Sequence, residues 1–185
     1  MSPLFKLDVA WTSDGDSPFH LIGQAAGASF HEQLFRTTPA VGVWVPPVLP
    51  LAEERDIADV YLSIWGYFVF MPDARRRLSA LVDDWVEWLP ARAEKLGPCF
   101  ILNPLHYRYL AAHAEARQNE VSRNIAVVYR YAFDTVSEAM PPLFGIAHPS
   151  DSAAGRAGCG LNQILDREAV GSIQLRGIQW KKVTE

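Results

Sequence analysis

Hydrophobic and polar positions alternate over Leu4–Trp11, with Leu4, Lys6, Asp8 and Ala10 against Phe5, Leu7, Val9 and Trp11, and this predicts a half-buried strand. Residues 12–18 make a polar turn, and Gln24–Phe30 is rich in Gly and Ala and fits either element. Val41–Val45 suits a short strand, and Pro46, Pro47 and Pro50 keep the chain beyond it extended at a sheet edge, because proline donates no ladder hydrogen bond. Residues 1–50 thus read as an irregular arm laid over the rest. Leu51–Tyr61 sets four acids around Leu51, Ile57, Ala58 and Tyr61, as a short helix or an acidic loop. Val60–Met71 is aromatic and β-branched without alternation, which predicts one strand buried on both faces, with Gly66 at a bulge.

Spacings of three and four then take over. Ala74, Leu78, Leu81, Val82 and Trp85 form one apolar stripe, Asp73 is the expected N-cap, and Arg75, Arg76 and Arg77 fall towards the other side. A strand from Val86 is ended by Pro90; after the Gly97-Pro98 turn, Cys99–Leu102 pairs back and stops at Asn103-Pro104. Leu105–Val121 suits a helix through Leu110, His113, Ala114 and Arg117. Ile125–Phe133 and Leu143–Ala147 read as strands, with one helical turn at Thr135–Ala139 between them and an exposed loop at His148–Gly160. Asn162 caps a last helix through Ile164, Leu165 and Ala169, with Gly171 at its C-terminus. Ile178–Val183 alternates again, as a terminal strand docked into a sheet. Val86-Glu87-Trp88 and Ile178-Gln179-Trp180 make two similar helix–strand units. Strands and helices interleave without βαβ regularity, so the expected class is α+β: a mixed, largely antiparallel sheet with a few packed helices. We expect a single domain over 1–185, the arm 1–50 preceding an α+β core at 51–185.

Composition supports a real core and narrows the partners. The 185 residues are 49% hydrophobic and 21% charged, with 6 Trp and 9 Phe, which is ample apolar surface to bury. A formal net charge of −4 gives phosphate no general attraction, so no nucleic-acid partner is expected. No basic segment leads into an apolar one near the start, and no run approaches the ~18 apolar residues of a membrane helix. We expect a cytoplasmic protein without membrane contact. Cys99 and Cys159 make neither a disulfide framework nor a CxxC, and read as two free thiols in a reducing compartment, Cys99 buried in an apolar run.

Candidate chemistry is sparse. His106 and His113 would share a helix face, with His148 as a third ligand, but no HExxH or carboxylate cluster accompanies them and neither a metal nor another cofactor is expected. Cys159 with a distant histidine would make a nucleophile pair, set in an open Gly-Cys-Gly, whereas no GxSxG elbow is present. Gly155–Gly160 lacks the spacing of a phosphate loop. The acids Glu53, Glu54, Asp56, Asp59, Asp83, Asp84 and Glu87 form either a solvated face or a docking patch for a basic partner. Trp44 and Trp65, beside Pro and Gly, suit exposed anchors.

Residues 60–183 carry one further pattern. Val86-Glu87-Trp88-Leu89-Pro90 leads into Phe100-Ile101-Leu102-Asn103, Phe144 lies on a later strand, and Gly177-Ile178-Gln179-Trp180 closes the chain. This order resembles the eleventh numbered immunity family of bacterial polymorphic toxin systems. Trp88 and Trp180 stand where that family has Phe, and the first 50 residues match nothing in it. The resemblance implies an immunity protein: a non-enzymatic chain made beside a cognate toxin that it binds and blocks. It transfers no functional residue. Two alternatives stay open: a small cytoplasmic hydrolase or transferase using Cys159 or the histidines, and a domain whose aromatic edge makes a homodimer.

Overall fold

The structure, a computed structural model, describes residues 4–9, 21–22, 39–40, 42–50, 58–63, 67–111, 114–118, 125–133, 143–147, 164–165 and 173–183. In chain order its elements are β1 (Leu4–Val9), β2 (Leu21–Ile22), β3 (Val48–Leu49), β4 (Val60–Ser63), β5 (Phe68–Phe70), α1 (Pro72–Val82), β6 (Val86–Ala93), β7 (Gly97–Pro104), β8 (Tyr107–Tyr109), β9 (Glu115–Gln118), β10 (Ile125–Arg130), β11 (Leu143–Ala147), β12 (Ile164–Leu165) and β13 (Ile178–Val183). The fold is mostly sheet with one short α-helix among the described residues, broadly α+β. One sheet has the order β2-β4-β5-β7-β6-β3, a second β13-β1-β12-β11-β8, and β9 and β10 form a separate ribbon. Parallel pairing is confined to β2–β4, β3–β6 and β8–β11 among the described strands, so pairing is mixed and largely antiparallel.

The six-stranded sheet is buried on both faces. Tyr61, Val69, Leu89, Ala91, Cys99 and Ile101 point to one side, where Ala40, Trp44 and Leu49 cover them. Val60, Phe68, Phe70, Val86 and Leu102 point to the other, against α1 and Leu7, Leu143 and Ile178 of the second sheet. This two-sided burial explains the missing alternation in Val60–Met71. That stretch is two strands rather than one: β4 and β5 pair antiparallel from Val60↔Phe70 to Leu62↔Phe68, and the Ser63 N–H donates to the Tyr67 carbonyl at 2.9 Å. Gly66 lies outside the described residues.

β6 and β7 make the longest hairpin, in register from Val86↔Pro104 to Ala93↔Gly97. The expected pairing is present, but Pro90 does not end the strand. The Arg92 and Glu94 N–H groups donate outward to Pro47 and Leu49 carbonyls at 3.0 and 2.8 Å, so the nitrogen of Pro90, two residues earlier, also faces away from β7 and no ladder bond is lost. β3 lies along that outer side, at the sheet edge where its prolines place it.

Helix α1 starts two residues earlier than the N-cap pattern suggests, with Met71 and not Asp73 at the N-cap. Pro72 takes the first helical position, where its missing N–H costs nothing, and Asp73 sits in the first turn instead of capping. Ala74, Leu78 and Val82 are buried at i, i+4 and i+8, and Leu81 and Trp85 pack half-buried against the same cluster. Asp83–Trp85 continues as a 3-10 turn. The three arginines diverge. Arg75 lies over the Phe100 ring at 4.3 Å and near Trp88 at 5.9 Å, Arg76 pairs with Asp73 at 3.1 Å, and Arg77 reaches the Gln174 carbonyl.

In the second sheet β13 docks on β1 from Leu4↔Val183 to Val9↔Ile178, as the terminal alternation predicts. Where two expected helices are described, the residues are in strands. Leu105–Val121 contains β8, parallel to β11, and β9, antiparallel to β10, with a bridge Leu110↔Phe133. Gly145 is what admits β8: a Cβ there would lie 2.4 Å from the Tyr107 ring. Ile164-Leu165 is β12, paired with both β1 and β11, so the C-terminal region does not repeat the plan of α1–β6 at these residues. Trp88 and Trp180 accordingly sit in different sheets. The expected helical turn Thr135–Ala139, the loop His148–Gly160 and the caps Asn162 and Gly171 lie outside the described residues. Among the described residues no helix is long and apolar enough to cross a membrane.

Candidate functional site

The most distinctive surface surrounds the lead-in to β13. Residues 173–177 form a strap across β4 and α1. The Arg176 carbonyl accepts from the Asp59 and Val60 N–H groups, both at 3.1 Å. The Arg176 N–H donates to Asp59 Oδ2 at 2.8 Å, and its Nη2 to Oδ1 at 3.3 Å. Arg77 Nη1 stands 3.8 Å from Asp59 Oδ2, and Arg77 Nη2 donates to the Gln174 carbonyl. Trp180 Nε1 donates to the Ile173 carbonyl at 3.2 Å. Gly177 is required at this crossing: its φ is +97° and a Cβ would lie 2.2 Å from the Val60 carbonyl oxygen.

An open groove of about 610 Å3 lies beside the strap, lined by apolar Phe5, Ile173, Ile178 and Trp180 with Arg77 and Arg176. The side chains of Arg176 and Arg77 are 70% and 44% exposed, whereas that of Asp59 between them is 19% exposed. Lys182, exposed, stands opposite Phe5 in the β1–β13 register and so on the same sheet face. No sequence pattern marks this constellation. Asp59 and Arg176 are 117 positions apart, and only the glycine before a terminal strand hinted that a special backbone crossing was needed.

The expected acidic patch resolves into separate roles where it is described. Asp59 anchors the strap. Glu87 Oε2 accepts from the Ala40 N–H at 2.8 Å and from Asn103 Nδ2 at 3.0 Å, tying the arm to the β6–β7 hairpin. Asp83 Oδ1 accepts from Trp88 Nε1 at 2.7 Å, and Trp88 packs edge-on to Phe70 with ring centroids 5.3 Å apart. Asp83 and Asp84 are exposed side by side on the 3-10 turn. Glu53, Glu54 and Asp56 lie outside the described residues. Trp44 is not an exposed anchor: it is 9% exposed and its Nε1 donates to the Pro90 carbonyl at 2.7 Å. Trp65 lies outside the described residues.

The catalytic and metal candidates are partly described. His106 is exposed, its ring edge-on to Trp85 at 5.3 Å. His113, His148 and Cys159 lie outside the described residues. Among the described residues no group of three or more His, Cys, Asp or Glu is placed to hold a metal ion. Cys99 is buried as its apolar run predicts; burial pushes its thiol up to about 11, against a smaller lowering from the Ala93 backbone, so it stays a neutral thiol. Burial also raises the phenols of Tyr61 and Tyr67. No family model matches the chain, and no curated protein matches it.

Proposed function

We propose that the chain is a binding protein of the immunity type, which covers and blocks a cognate bacterial toxin. The observation that carries this reading is the Glu87–Asn103 contact. These are the polar residues of the two separated segments that resemble the immunity family, and they stand opposite each other in β6 and β7, hydrogen-bonded at 3.0 Å. Two segments whose polar positions meet in one interaction support a common hairpin rather than a coincidence of composition. Function in such a protein lies in surface complementarity, not in a reacting group. Asp83 and Asp84 are the acids that face a basic partner in this reading, with Glu53, Glu54 and Asp56 as further contacts; Asp59 and Glu87 hold the fold instead. Complementary charge of this kind sets association rate and partner choice more than raw affinity.

The test is co-expression of the chain with the product of the adjacent reading frame. Rescue of growth together with a co-purifying complex is the expected result. Neither rescue nor complex would overturn the reading.

A further inference from the structure

We infer that the groove beside the 173–177 strap binds an acidic, apolar peptide segment of a protein partner, with a carboxylate against Arg77 and Arg176 and a neighbouring large apolar side chain on Phe5, Ile173 and Trp180. Charge favours this occupant first. Two cations, Arg77 and Arg176, line a groove whose described lining holds no acid, and Lys182 adds a third on the sheet face that carries Phe5; the Asp59 carboxylate sits behind the guanidinium groups. The chain as a whole is acidic, with a formal net charge of −4, so a local excess of positive charge runs against its composition.

Donor geometry favours it second. A guanidinium carries five N–H donors in a planar fork that suits a carboxylate. Among the described residues, the Asp59 carboxylate and the Gln174 carbonyl take single contacts from these forks and not a bidentate pair. The forks therefore keep donors for a second carboxylate, held in place by contacts already formed, which lowers the ordering cost of binding. Size is the third consideration: about 610 Å3 lies within the range of ligand pockets, and an open groove suits a segment carried by a larger body. A small free carboxylate would leave most of its surface in water there. The partner need not be a toxin.

Isothermal titration calorimetry on the full chain tests this with a capped peptide alternating Asp or Glu with Leu or Phe, and with its Asn/Gln isostere. The acidic peptide is expected to bind at least about tenfold more tightly, and the difference to shrink as salt rises from about 50 to about 500 mM. Lys182→Gln, on an exposed side chain, and Arg176→Gln, which keeps the backbone contacts of the strap, are each expected to weaken binding several-fold with little change in melting temperature. Equal affinity for both peptides, no binding below the millimolar range, or full affinity in both variants would overturn the inference. So would heats that track self-association of the protein, or 3-phenylpropionate binding as tightly as the peptide. Peptide binding with failed rescue by the neighbouring gene would remove the toxin reading alone.

Discussion

Gly177→Ala isolates the crossing on which the groove depends. Two terms oppose the substitution. A left-handed backbone costs an L-residue about 1–2 kcal/mol, and Gly177 sits at φ +97°. The added methyl would lie 2.2 Å from the Val60 carbonyl oxygen and 3.1 Å from the Ala58 Cβ. The first of these is backbone inside β4, so the strap must move, and moving it loosens the Asp59 and Val60 N–H bonds to the Arg176 carbonyl. At roughly 1 kcal/mol for each of the two hydrogen bonds, the combined cost is about 3–4 kcal/mol. Gly97→Ala is the internal control. Gly97 has φ +91° but nothing within 4 Å of an added Cβ, so only the backbone term of about 1–2 kcal/mol applies. Gly145→Ala is the converse, with ordinary φ and a Cβ 2.4 Å from the side chain, not the backbone, of Tyr107, for about 1–3 kcal/mol of overpacking. Urea unfolding followed by tryptophan fluorescence, with the slope checked for constancy, measures all three. Hydrogen exchange at residues 178–183 should rise selectively in Gly177→Ala, because β13 is held beyond the strap only by β1 among the described strands. A cost for Gly177→Ala no larger than for Gly97→Ala would refute the close approach to β4.

Two other measurements test the buried groups. Glu87→Ala leaves the Ala40 N–H and the fully buried Asn103 amide without this acceptor, and is expected to cost about 2–4 kcal/mol, with Glu87→Gln costing less because one acceptor oxygen remains; an unchanged melting temperature in Glu87→Ala would return this residue to the surface patch. The Cys99 thiol is raised in the fold from 9.0 to about 11 by burial, so the folded state favours the protonated form. Its contribution is complete below pH 9 and is lost as pH rises to about 11, a two-unit shift worth roughly 3 kcal/mol at 1.36 kcal/mol per unit. Raised Tyr61 and Tyr67 phenols act in the same direction. Cys99→Ala should make the alkaline fall in stability shallower; an identical pH profile would place the thiol in contact with water.

What was legible in the sequence is what neighbours in the chain decide. The stripe of α1, the return of β7 on β6 and the alternation of β13 all arise from local spacing, and each is present. The misreadings share a different cause. Leu105–Val121 and Ile164-Leu165 have helix-compatible composition, but their backbones are claimed by β11, β10 and β1, strands distant in sequence. Val60–Met71 hid its turn because both strands are apolar on both faces, which erases the contrast that marks a hairpin. The same limit governs the site. Glu87 and Asn103 stand out in the sequence because they sit in patterned strands, and there they hold a hairpin together. Phe5, Arg77, Arg176 and Trp180 stand in no shared motif, because their neighbourhood is created only when β13 pairs with β1 and the strap crosses β4. Glu87 and Asn103 therefore report packing within one hairpin, whereas the groove exists only through pairings between positions distant in sequence.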